Sequence, residues 1–224
     1  MALHASFAVG AAAAPVFVKQ LMLLSDGGSN FNLPFYVIGG MFLPAVLIGL
    51  FYIARLPVRA QSTASSESYS NQSISKVKRY LLVGLFSVVM CLYVGAEVAF
   101  GVYVFTYATE KVNPLSEELG GVLNTMFWTA FAIGRILTIP LSVKIPAKPT
   151  VVASVFGSCV FSAIPFFVRN DVVLWICCIG LGLAMAPTFP AVYNLTGNYM
   201  EVTGRISATF VVYDFFFFLC IVSF

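Results

Sequence analysis

Seven stretches of this chain are apolar enough, and long enough, to cross a lipid bilayer, and that repetition leaves few folds open. A crossing helix needs about 20 mostly apolar residues. Runs of that kind fall at about 2–24, 35–55, 80–107, 120–143, 150–168, 172–194 and 206–224. Turn-forming segments separate them: SDGGSNFNLP (25–34), the polar stretch 56–79, EKVNPLSEELGG (110–121), KIPAKPT (144–150), VRND (168–171) and TGNYMEVTGR (196–205). Lipid offers no partner for a bare peptide group, so such runs must satisfy their backbone internally as helices. The expected fold class is an all-α polytopic membrane protein.

The composition agrees. Hydrophobic residues make up 60% of the chain and charged residues 9%, against about 25% charged in a typical soluble domain; mean hydropathy is +0.94. Twelve Lys and Arg stand against nine Asp and Glu, and no basic stripe with interleaved aromatics points to nucleic acid. The N-terminal run lacks a basic leader and contains Pro15, so it reads as a membrane helix rather than a cleaved signal. Cys91, Cys159, Cys177, Cys178 and Cys220 all lie in apolar runs with no metal-ligand spacing, and the one histidine is His4. They read as buried thiols serving as small apolar residues.

Orientation follows from the basic residues. Arg55, Arg59, Lys76, Lys78 and Arg79 flank or fill the 56–79 connection, which places it in the cytoplasm. Alternation then puts Lys144, Lys148 and Arg205 on the same side, so eight basic residues face two, Lys111 and Arg169, across the membrane. The N-terminus is expected in the cytoplasm. The Ser-rich QSTASSESYSNQSIS (61–75) reads as a flexible tether. The sequons at Asn71 and Asn194 fall on the cytoplasmic side and read as chance matches.

Two of the charges inside the apolar runs stand out: Glu97 in YVGAEVAFGVYVFTYA (93–108) and Arg135 in FWTAFAIGRILTIPLS (127–142). A charge at the bilayer centre costs about 2.5–3.5 kcal/mol on insertion scales, so it persists where it faces a cavity or a partner. At about 100° per residue, Tyr93, Glu97 and Gly101 share one stripe, and Asn124, Trp128 and Arg135 share another. Hydrogen-bonding groups beside aromatic faces suit a sugar, whose hydroxyls need partners while its C–H face stacks on a ring. Arg135 has a second reading: it lies about eight residues from the end of its run and could snorkel to the surface. The segment ICCIGLGLAMAPTFPAVYNLTG (176–197) is interrupted by Gly180, Gly182, Pro187, Pro190 and Gly197. Broken helices line midplane sites in transporters, and Tyr193 and Asn194 follow the break. The phenylalanines read mainly as lipid-facing bulk. No nucleophile–base set, HExxH, GxSxG, phosphate-binding loop or paired carboxylates occur, which argues against an enzyme.

YVGAEVAFGVYVFTYA, FWTAFAIGRILTIPLS and GLAMAPTFPAVYNLTG resemble the seventh, eighth and tenth helices of sodium-dependent glucose transporter-like members of the major facilitator superfamily, and more distantly fucose permeases. LHASFAVGAAAAPVFV resembles the fifth helix, and the likeness covers nearly all of residues 1–212. The resemblance implies a partial major facilitator fold (helices 5–11 of twelve). Residues 1–55 are then the last two helices of one half, 56–79 the central loop, and 80–224 an incomplete second half. It also implies cation-coupled uptake of a hexose at the plasma membrane by alternating access. Glu97, Tyr93, Asn124, Trp128 and Asn194 become candidate sugar contacts. Arg135, Pro187 and Pro190 become structural or gating residues, with Na+ or H+ as the coupling ion at Glu97. The terminal YDFFFFLCIVSF (213–224) departs from the family pattern, and such a chain is expected not to transport by itself. A seven-helix receptor and a non-transporting regulatory membrane protein are the rival readings. Which sugar, which cation and what oligomeric state all stay open.

Overall fold

The computed structural model describes residues 2–24, 32–55, 75–111, 113–200, 204, 206–209 and 212. The central stretch 56–74 and most of the run 206–224 lie outside the described residues. The chain divides into two compact units, residues 14–70 and residues 71–224 together with 1–13, which are described separately.

The smaller unit holds the second part of α1 (Ala2–Leu24), from residue 14 on, and α2 (Asn32–Arg55); the two helices match the predicted runs and carry Pro15 and Pro44 in their interiors. Their exposed residues include Val16, Leu23, Leu43 and Leu47. Apolar side chains facing outward at this density fit lipid or other helices, not water.

The larger unit contains α3 (Lys76–Glu110), α4 (Glu117–Lys144), α5 (Ala147–Phe167), α6 (Asp171–Met185) and α7 (Thr188–Tyr199). Among the described residues, four spans are long and apolar enough to cross a membrane, with α6 and α7 together making the fourth. Its helices are started by chemistry that the sequence carries. The Ser116 side chain accepts the Leu119 N–H, with Glu117 and Glu118 in the positive first turn of α4. Asn170 accepts the Val172 N–H at the start of α6. α3 begins at Lys76, four residues before the predicted run, so Glu97 shares its helix with Lys76, Lys78 and Arg79.

Close helix approach rests on small residues, as expected where lipid removes the hydrophobic drive to associate. A Cβ added at Gly182 would lie 2.6 Å from the Phe127 carbonyl oxygen, and one at Gly134 would lie 2.6 Å from Ala186 Cβ. α4 and α6 therefore nearly touch at two levels. Gly180, expected to interrupt the helix, instead lies under the Phe161 ring, and Gly182 stays helical. The break is confined to Ala186 and Pro187, with Pro190 and Gly197 inside α7. The core of this unit is built on Leu123, Phe127, Phe131, Leu181 and Met185. Phe127 and Phe131 are thus core residues, whereas Phe166 and Phe167 are exposed. The thiols divide likewise: Cys177 and Cys178 are buried but Cys159 is exposed.

Candidate functional site

α3 and α4 run antiparallel from a six-residue turn, 111–116. At 1.5 Å per residue from that turn, Glu97 lies about 20 Å along α3 and Arg135 about 27 Å along α4. The stagger is closed by side-chain direction. Helical side chains lean toward their own N-terminus, so in antiparallel helices these two lean toward each other. An Arg135 Nη2 sits 3.6 Å from a Glu97 carboxylate oxygen, and the two side chains are 4% and 6% exposed. Arg135 therefore does not snorkel: it turns inward as half of a buried ion pair.

Tyr93, one turn before Glu97, completes the cluster. Its hydroxyl accepts from Arg135 Nη2 at 3.4 Å and donates to the Met185 carbonyl at 3.0 Å. Met185 is the last residue of α6, where helix carbonyls lose their intrahelical donors. Pro187 and Pro190 have no N–H, so Leu183 and Ala186 also lack the donor four residues on. The guanidinium lies 4.6 Å from the Phe131 ring centre and 5.7 Å from that of Phe189, contacts worth about 0.5–2 kcal/mol each. α3, α4, α6 and α7 thus meet around one cation. The Gly134–Ala186 approach, one residue from Arg135, brings the break within its reach.

The two predicted stripes do face each other. Trp128 lies so close over Gly101 that a methyl group there would enter its ring, and Trp128 stacks edge-on against Phe127 and Phe131. Asn124 is on the same α4 stripe, with its Oδ1 buried and without a hydrogen-bond partner among the described residues. Arg135 Nε, Thr188 Oγ1 and Ser87 Oγ share that condition. Asn194 does not join the cluster: it is exposed, beside Thr138, Ser142 and Pro190. Pro190 is buried in the first turn of α7. The sequence reading missed Phe131, Phe189 and the Met185 carbonyl. Phe131 was findable, because it lies four residues before Arg135 on one helix face; the other two depend on how distant helices pack.

A larger concave space, about 1030 Å³, lies elsewhere, between the Glu110 end of α3 and the start of α6. It is walled by Phe100, Tyr103, Tyr107 and Phe161, and at its rim Lys111 pairs with Asp171. None of the sequence-predicted site residues lines it. Among the described residues no group of three or more His, Cys, Asp or Glu is placed to hold a metal ion.

Comparison with known proteins gives a consistent picture. The Major Facilitator Superfamily profile matches residues 2–220. Over 94% of its length the chain is 31% identical to the sodium-dependent glucose transporter 1 of Xenopus laevis, covering 47% of that protein. It is 32% identical to the Danio rerio protein of the same name and 31% to the Homo sapiens one, again over 94% of the chain and covering 40% and 46% of them. The chain thus spans less than half the length of these relatives. No solved structure matches it.

Proposed function

The chain belongs to the major facilitator superfamily, and from that premise we propose that it forms one wall of a secondary active transporter that takes up a hexose together with a cation. The observation that carries this reading is the buried Glu97–Arg135 pair, tied through Tyr93 to the break between α6 and α7. A charge pair held inside a membrane bundle marks a substrate or ion path, and a broken helix beside it supplies carbonyls and a place to bend. The relatives' name supports glucose and sodium as the first pair to test.

In this reading Glu97 binds the coupling ion, Na+ or H+. The two demand opposite behaviour: a proton carrier must titrate, whereas a sodium ligand stays ionised. Asn124 Oδ1, buried and unsatisfied on α4, is the acceptor offered to a sugar hydroxyl, and the Trp128 ring one turn on stacks on the sugar's C–H face, while Arg135 holds the structure of the site. Tyr93 orders the pair, Pro187 and Pro190 keep the break open, and Asn194 is a contact only from its exposed position. The proposed setting is the plasma membrane, with the N-terminus and 56–79 in the cytoplasm. The superfamily match favours a transporter over a seven-helix receptor.

The test uses the full chain in lipid nanodiscs with Trp175 changed to Phe, so that Trp128 reports alone. D-glucose should quench its fluorescence saturably, more tightly with sodium or at acid pH, and Glu97→Gln should remove that cation dependence. Quenching equal for glucose and a non-sugar polyol, or unchanged by Glu97→Gln, would overturn the assignment.

A further inference from the structure

The concave space between the Glu110 end of α3 and the start of α6 takes no part in the site described above. It is a slot of about 1030 Å³, at the upper end of the roughly 300–1,000 Å³ usual for a ligand pocket. From Lys111 at the rim to Phe100 it follows α3 for about 16 Å, and from Asp171 to Cys178 it follows α6 for about 10 Å. One leaflet of a bilayer holds about 15 Å of hydrocarbon, so the slot has the depth and the direction of a lipid tail. Tyr103, Tyr107 and Phe166 on its walls are exposed, which leaves it open along its side to the bilayer.

Its chemistry divides by depth. Below the rim the walls are apolar, with Val104, Phe161 and Leu174 beside Phe100, and polar atoms there are already engaged. The Ser162 hydroxyl donates to the Cys159 carbonyl at 3.1 Å, and the Cys178 thiol to the Leu123 carbonyl at 3.5 Å. A hexose at this depth would leave most of its hydroxyls unpaired. At the rim stand Lys111, Arg169 and Asp171. Lys111 is taken up by Asp171, whereas Arg169 is exposed and forms no ion pair among the described residues. Two cations against one carboxylate leave a positive charge at the mouth of an apolar slot.

We propose that this slot binds an anionic phospholipid, with one acyl tail between α3, α5 and α6 and the phosphate at Arg169 beside Lys111. Lipid tails are as apolar as the walls, so the tail gains a place there but no preference. The preference comes from the rim, where a guanidinium meets a phosphate through two parallel hydrogen bonds. A zwitterionic lipid carries its own cation beside its phosphate and gains less. The proposal stands apart from the sugar and ion reading, since Tyr93, Glu97, Asn124, Trp128 and Arg135 are not among the slot's residues.

Native mass spectrometry of the full chain, released from nanodiscs with equal amounts of phosphatidylglycerol and phosphatidylcholine, tests it. The unchanged chain should retain phosphatidylglycerol over phosphatidylcholine by about fivefold, the share that one cation beside an anionic headgroup contributes. Arg169→Gln should abolish the preference, and Ser162→Trp, which fills the slot from α5, should abolish retention of both lipids. Both positions are exposed, so both variants should fold. Arg79→Gln, exposed at the far end of α3, should leave the preference intact. No preference in the unchanged chain, a preference that survives Arg169→Gln, or one lost equally in Arg79→Gln would overturn the proposal. So would retention undiminished by Ser162→Trp, which places the lipid elsewhere. A dimer that Ser162→Trp dissociates would put a second copy of the chain in the slot and overturn it as well. Should Ser162→Trp fail to fold, Arg169→Gln set against Arg79→Gln decides by itself.

Discussion

Arg135 on α4 and Glu97 on α3 form an ion pair at 3.6 Å inside a membrane bundle, each side chain almost wholly enclosed. At that length the pair is held by charge and by the rings of Phe131 and Phe189 more than by a well-made hydrogen bond. Four consequences can be measured.

Removing one partner should cost far more than removing both. Arg135→Ala removes the cation that reaches buried Glu97 from α4 and is expected to destabilise the larger unit by about 3–5 kcal/mol. Glu97→Gln/Arg135→Met should recover most of that loss. Denaturant unfolding in detergent, followed by Trp128 emission, checks it, and a double variant no better than Arg135→Ala would remove the pair from the energetics.

The α4–α6 contact should tolerate no added volume at Gly182. Even Gly182→Ala places a methyl 2.6 Å from the Phe127 carbonyl, and backbone cannot yield as a side chain does. A loss of about 1–3 kcal/mol is expected from overpacking, against almost none for Gly121→Ala on α4, whose Cβ meets nothing within 4 Å. Thermal stability of the purified variants in one detergent provides the comparison.

Supplying the missing donors should stiffen the break. Pro187→Ala offers Leu183 its N–H and Pro190→Ala offers Ala186 one. Amide exchange between residues 183 and 191 should slow in both variants, most in the double one. Exchange as fast as in the unchanged chain would mean that the prolines do not maintain the break.

The Lys111–Asp171 pair joins the ends of α3 and α6 with Asp171 half exposed, so it should behave unlike the buried pair. Lys111→Gln is expected to cost about 0.2–1 kcal/mol, and less in high salt. The charge swap Lys111→Asp/Asp171→Lys should restore it. A loss as large as that of Arg135→Ala would show that this rim pair holds the bundle.

Hydropathy located the helices of the larger unit because lipid contact dictates apolar runs, but it clipped α3: the helix continues past the apolar boundary into Lys76, Lys78 and Arg79, where peptide hydrogen bonds carry on after hydrophobicity ends. Helical spacing found the two stripes, since Tyr93, Glu97 and Gly101, like Asn124, Trp128 and Arg135, lie on single helices. That Glu97 reaches Arg135 could not be read the same way, because it depends on the length of the 111–116 turn and the stagger it imposes. The glycines show the same limit. Gly180 and Gly182 look like breakers beside Pro187 and Pro190, and only the neighbouring Phe161 and Phe127 reveal them as contact points. Asn194 was chosen for following the break, but its helix turns it outward, an angle that one sequence does not specify.

The short connection between α3 and α4 also bears on how the chain enters the bilayer. Spans are delivered in order from the ribosome, so Glu97 arrives before Arg135 has been made. α3 can meet the cost of one carboxylate from its own long apolar run, whereas α4 carries Asn124 and Arg135 in a less hydrophobic span. With only six residues between them, the two can insert as a hairpin, the acidic first span serving as the receptor for the basic second. Lengthening 111–116 would then impair membrane integration before it touched any property of the finished protein.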